Sequence, residues 1–148
     1  PAKAFSIEVY PMGREVASYA TNTDLLIHHG STDAPTVDVV ETGVGAGTIV
    51  DNASYKDFTD YLELPTSDYT LDIRDASGMT TVATFSAPLE TLNLMGMSAV
   101  VVASGFLDPA NNSNGESFGL YVALPVGGAL VALPAGKKSN NPIPSPSF

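Results

Sequence analysis

Apolar and polar residues alternate along most of this chain, and a period of two marks half-buried strands rather than helices. Phe5, Ile7 and Val9 are separated by Ser6 and Glu8, with Tyr10 closing the run. The same alternation predicts strands over 15–20, 25–29, 36–41, 58–64, 69–74 and 80–86. Residues 97–104 are more continuously apolar, which predicts a central strand buried on both faces. Residues 118–124 and 129–133 predict a terminal hairpin across Pro125-Val126-Gly127-Gly128, where the glycines supply the turn. A helical period is absent throughout, and 51–60 has room for one turn at most. Short strands broken by Gly, Pro, Asn and Asp predict an all-β fold, an antiparallel sandwich of the immunoglobulin or transthyretin kind.

The ends differ from the middle, so we divide the chain into an amino-terminal hairpin (1–23), a sandwich (24–134) and a tail (135–148). Pro142, Pro144 and Pro146 alternate through the tail and favour an extended chain. It reads as a linker, or as an arm with Ile143 and Phe148 as apolar anchors. The opening resembles the interior of the chain. Pro1–Val9 aligns with Pro65–Ile73, 64 positions on, and Val16–Tyr19 aligns with Val82–Phe85, 66 positions on. A two-residue difference keeps each side chain on its face. Either all amphipathic hairpins look alike, or the hairpin is a second copy whose strands pair in their own sandwich or complete another chain's sheet. Phe5, Ile7, Val9, Ile143 and Phe148 are therefore the expected assembly residues.

Composition narrows the setting. The chain has 148 residues, enough for one domain with a real core, and only 15% of them are charged. Its formal charge of −10 argues against nucleic acid and against an anionic membrane surface. It has no cysteine, hence no disulfide framework or thiolate metal site. The longest apolar stretch is strand-sized, which predicts no membrane insertion. The chain starts at Pro1 with neither Met nor a signal-like segment and reads as a processed or truncated product.

Candidate chemistry is thin. His28 and His29 are adjacent, and neighbours on a strand point to opposite faces, so one ion cannot easily take both. Asp33, Asp38, Asp108 and Glu116, with Asn111, Asn112 and Asn114, are oxygen ligands suited to calcium, although none has EF-hand spacing. The same residue types also bond their own backbone in turns. No Gly-x-Ser-x-Gly elbow occurs. Gly43-Val44-Gly45-Ala46-Gly47 imitates a phosphate loop without its Lys-Ser/Thr and reads as a turn. Tyr10, Tyr55 and Tyr61 are the candidates for a sugar-stacking face.

The run Ile27-His28-His29-Gly30-Ser31-Thr32-Asp33-Ala34-Pro35-Thr36-Val37-Asp38-Val39 resembles the opening of the DUF4397 domain, "His-x-Ser-Pro-Asp-Ala-Pro-x-Val-Asp-Val". His28, Ser31, Asp33, Pro35 and Asp38 carry the motif, and Thr32 stands where Pro is usual. Tyr61–Pro65 with Tyr69–Ile73, Val100–Pro109 and Phe118–Pro125 are similar to later parts of the family pattern. The resemblance covers roughly residues 24–134. It implies a secreted or bacterial cell-surface β-sandwich, often repeated, with no catalytic residues to transfer. We therefore expect a non-enzymatic extracellular structural module that assembles with copies of itself or neighbouring repeats, as a filament subunit or in adhesion. The alternative is a calcium- or glycan-binding module of a larger adhesin. No other cofactor is expected.

Overall fold

The computed structural model describes residues 3–136. Nine strands follow one another: β1 (Asn22–His29), β2 (Val37–Glu41), β3 (Gly47–Ala53), β4 (Leu62–Pro65), β5 (Asp68–Asp75), β6 (Thr81–Pro88), β7 (Ser98–Ser104), β8 (Gly119–Ala123) and β9 (Val131–Ala132). One 3₁₀ turn, Pro109–Asn111, interrupts the β7–β8 connection. A five-stranded sheet has the order β4-β1-β7-β8-β9 and a four-stranded sheet the order β3-β2-β5-β6. The fold is the expected β-sandwich.

Alternation decides which residues meet between the sheets. Leu25 and Ile27 of β1, Ala99 and Val101 of β7, and Leu120 and Val122 of β8 form one side of the core. Val37 and Val39 of β2, Tyr69, Leu71 and Ile73 of β5, and Phe85 and Ala87 of β6 form the other. Each fully buried aliphatic side chain is worth about 1.5–3 kcal/mol against its exposed state. β7 is central, but Ala99, Val101 and Ala103 are buried while Val100 and Val102 are only half-buried. The expectation of burial on both faces is corrected accordingly. All strand pairs are antiparallel except β1 with β7, which run parallel from Asp24 opposite Ser98 to His29 opposite Ala103.

The terminal hairpin forms, with Tyr121 opposite Ala132 and Gly127 and Gly128 at φ 82° and 95° in its turn. Two other expectations need correction. Residues 51–60 hold no helical turn; 51–53 finish β3, which two register shifts against β2 and Asn52 at φ 58° make irregular. The hairpin over 1–23 does not form within the described residues. Val16 makes only an isolated bridge to Met97, Ala17 N–H donates to the Gly96 carbonyl (2.9 Å) and Ser98 N–H to the Glu15 carbonyl (3.1 Å). The segment expected as the second hairpin strand is thus already bonded to the start of β7.

The two sides of the sandwich differ. Between β9 and β6 the chain crosses from sheet to sheet: Leu133 N–H donates to the Leu120 carbonyl, Ser86 N–H to the Pro134 carbonyl and Gly136 N–H to the Thr84 carbonyl, each at 2.9 Å. Between β3 and β4 the link 54–61 crosses at one end, bonded to β1 through Lys56 N–H to the His29 carbonyl (2.7 Å) and Thr59 N–H to the Ile27 carbonyl (2.8 Å), while half-buried Ile49, Leu62 and Leu64 pack on the core along the rest of that side.

Candidate functional site

The motif residues build a corner joining both sheets. At the end of β1, His28 stacks on Phe58 (centroids 4.1 Å apart), and its Nδ1–H donates to the Asp57 carbonyl at 3.2 Å. Burial lowers its pKa below the ordinary imidazole value. His29 points the other way, is 3% exposed, and donates from Nε2 to the Pro35 carbonyl at 2.9 Å. Its Nδ1 is buried without a hydrogen-bonding partner among the described residues. Ser31, fully buried, donates to the Gly105 carbonyl at 2.7 Å. Gly105 sits at φ 82°, where a Cβ would fall 2.2 Å from the Ser117 carbonyl oxygen.

Of the residues expected as calcium ligands, Asp33, Asp108, Asn111 and Asn112 meet in one hydrogen-bonded cluster, and Asp38 lies apart on β2. Asp33 accepts from the N–H groups of Leu107 and Asp108, both at 2.9 Å, and from Asn112 Nδ2 at 3.2 Å. Burial would raise its pKa, but the donors of Asp108, Leu107 and Ser31 outweigh burial and hold it low. Asp38 is buried on β2 and accepts from Asn52 N–H at 2.8 Å, across the edge with β3. Asp108 caps the 3₁₀ turn through Asn111 N–H (3.3 Å) and Nδ2 (2.6 Å). Glu116 is exposed, and its carbonyl accepts from Phe106 N–H. Asn114 sits in a left-handed turn at φ 54°. Among the described residues no group of three or more His, Asp or Glu is arranged to hold an ion. Asp33, Asp38 and Asp108 each accept from backbone donors, which is what short acidic side chains do in turns.

The glycine-rich loop surrounds an anion of its own. Glu41 is 2% exposed, and its carboxylate accepts from the N–H groups of Gly43 (2.8 Å), Val44 (3.0 Å), Ala46 (3.1 Å) and Thr70 (3.0 Å). Burial acts to raise its pKa; the four donors overcome it and leave the group below the ordinary carboxylate value. Sequence reasoning missed this acid. The signal was an inward-phase Glu immediately before Gly43-Val44-Gly45-Ala46-Gly47.

The aromatic candidates are half-buried and pack on neighbouring side chains. Tyr10 packs against Phe58 (5.5 Å) and edge-on to Tyr61 (6.0 Å), the Arg14 guanidinium lies 4.6 Å from the Tyr61 ring centre, and Tyr55 stands edge-on to His29 (6.3 Å).

The amino-terminal segment is the most unusual surface. Its root is fixed: Asp24, fully buried, accepts from Arg14 Nη1 (2.8 Å), Ser18 N–H (2.8 Å) and Ser18 Oγ (3.2 Å), and Arg14 also reaches Glu63 at 3.0 Å. Glu63 first and Asp24 next raise the Arg14 pKa. Beyond the root, Glu8 comes 3.9 Å from Lys56 and Tyr10 meets Phe58 and Tyr61. The intervening positions face outward. Phe5 is 90% exposed, Ile7 77% and Val9 72%. Among the described residues no backbone hydrogen bond involves residues 3–9, and they lie in no strand ladder. Ile143 and Phe148, the other expected assembly residues, lie outside the described residues.

A family model described as a domain of unknown function (DUF4397) matches residues 23–111, more than half of the chain. The match runs from β1 to the 3₁₀ turn; it includes the first part of the motif corner and excludes the amino-terminal segment, hereafter the amino-terminal arm. No curated protein and no solved structure gives a significant match.

Proposed function

We propose, for a chain that belongs to the DUF4397 family, a non-catalytic module of the cell exterior that assembles with copies of itself through its amino-terminal arm. One observation carries this reading: the arm holds its polar face toward its own domain and turns Phe5, Ile7 and Val9 to solvent. Large apolar side chains in a row beside unpaired backbone are a template for joining another sheet. The sparse charge and the lack of cysteine fit an extracellular structural role. The motif corner supports the same reading, because its side chains are spent on holding the two sheets and the β7–β8 loop together.

Complete burial of the three side chains is worth about 5–9 kcal/mol before the costs of ordering and association. The stripe alone therefore binds weakly and needs a backbone ladder to hold it. The test is light scattering and negative-stain microscopy on the wild-type chain, on a chain lacking residues 1–13, and on the triple variant Phe5→Ser/Ile7→Ser/Val9→Ser. We expect oligomers or filaments from the wild type and folded monomers from both variants. The three positions are exposed, so the triple variant should melt within a few degrees of the wild-type monomer. Assembly that survives both changes would refute the proposal.

A further inference from the structure

We infer that the apolar groove between the edge strands β3 and β4 receives the arm of a second copy of this chain as an added strand; this rests on the self-assembly reading above. The opposite side is sealed by the crossing at residues 133–136, whereas here two pockets of ≈ 280 Å³ and ≈ 250 Å³ meet at Ile49. Their apolar walls include Phe58 and Leu62 in the first and Val44, Leu64 and Tyr69 in the second. Ile49, Leu62 and Leu64 are only half-buried, and Val44 is 59% exposed. The core thus reaches solvent along one line, flanked by two edge strands.

The arm has the shape this line requires. Side chains at every second residue fall about 7 Å apart on an extended chain, which is the spacing of Phe5, Ile7 and Val9. Residues 3–13 extend to about 35 Å, long enough to leave their own domain from the root at Arg14. The occupant is another copy, because in its own domain the arm rests on the outside of Tyr55–Tyr61 by Tyr10 and Glu8, and none of its apolar stripe lines either pocket. Charge agrees. The rim carries exposed Asp51, Asp57 and Asp60, and the arm brings exposed Lys3 to a chain whose formal charge of −10 otherwise repels its copies.

The chain has no native cysteine, so single substitutions report unambiguously. A chain carrying Ile7→Cys is mixed with a heavier, tagged chain carrying Ile49→Cys, oxidised, and run on a non-reducing gel. A disulfide-linked species of mixed mass should form roughly tenfold faster than with Met79→Cys, an exposed control on the β5–β6 turn, because docking raises the effective concentration. Leu62→Cys, on the other lip, serves as a second acceptor should Ile49→Cys weaken the fold. Adding Phe5→Ser and Val9→Ser to the donor should abolish the product. If the wild-type chain assembles but Ile49 and Leu62 crosslink no faster than Met79, the groove assignment is overturned and self-assembly stands. If the wild-type chain stays monomeric and no mixed product forms, both are overturned.

Discussion

Replacing Glu41 by Gln tests whether the β2–β3 loop is organised around a buried carboxylate. Gln keeps the size and one oxygen, but it turns an NH₂ group toward N–H donors that now meet an acceptor. With four donors at 2.8–3.1 Å, about two charge-assisted bonds are lost. At about 1.5–3 kcal/mol each, and after regaining the cost of dehydrating the charge, the net loss is about 3 kcal/mol. For a chain of this length that lowers Tm by roughly 6–12 °C. The chain lacks Trp, so urea titration is followed by far-UV circular dichroism, with exposed Glu116→Gln as a control expected to stay within about 0.5 kcal/mol. The sign of the pH dependence follows from the lowered pKa. The native carboxylate contributes fully above the ordinary value of 4.5 and loses its contribution as pH falls through its folded value. Wild type and variant should therefore differ by a constant amount near neutrality and converge in acid. A loss under about 1 kcal/mol, or a gap that widens in acid, would refute a loop organised around the Glu41 carboxylate.

Further predictions concern the corner and the arm. Gly105→Ala places a Cβ against the Ser117 carbonyl at a positive φ, and it should destabilise by more than about 3 kcal/mol in thermal melts, whereas Ser31→Ala, losing one buried hydrogen bond, should cost about 1–2 kcal/mol. Equal effects from the two would argue against the steric account. Asp24→Ala removes the acceptor that holds Arg14 and Ser18, so trypsin should cut after Arg14 much faster while the sandwich stays resistant. Unchanged cleavage would mean that the root is held elsewhere.

Half-buried strands were legible in the chain because their alternation is set by the core itself, as in Val37-Asp38-Val39 or Tyr69-Thr70-Leu71. β3 was not, because Ile49 and Val50 are adjacent and Asn52 adopts a left-handed turn that no period describes. The arm shows the converse. Phe5, Ile7 and Val9 have a strand's pattern, yet pairing is a property of two segments, and the neighbour expected at Val16–Tyr19 is bonded to Gly96 and Ser98. The parallel partner of β1 was invisible for the same reason. The acids could not be sorted from the sequence, because Asp33, Asp38 and Asp108 have the chemistry of ion ligands and only the fold shows the N–H groups they accept from. Glu41 was overlooked as an ordinary residue on an alternating strand.

The parallel pairing of β1 also sets an order of events in synthesis. Leu25 and Ile27 lie on a strand whose ladder begins with Asp24 opposite Ser98, 74 positions later. At roughly 5–20 residues per second, a ribosome needs about 4–15 s to supply that partner. Until then the centre of the five-stranded sheet cannot close, and pairing is limited to β2, β3, β5 and β6 among themselves and β1 with β4. Such a non-local arrangement folds slowly. The module can thus be completed only after its last third arrives, and it spends its earlier life as an open chain that other machinery can still thread, carry or shield.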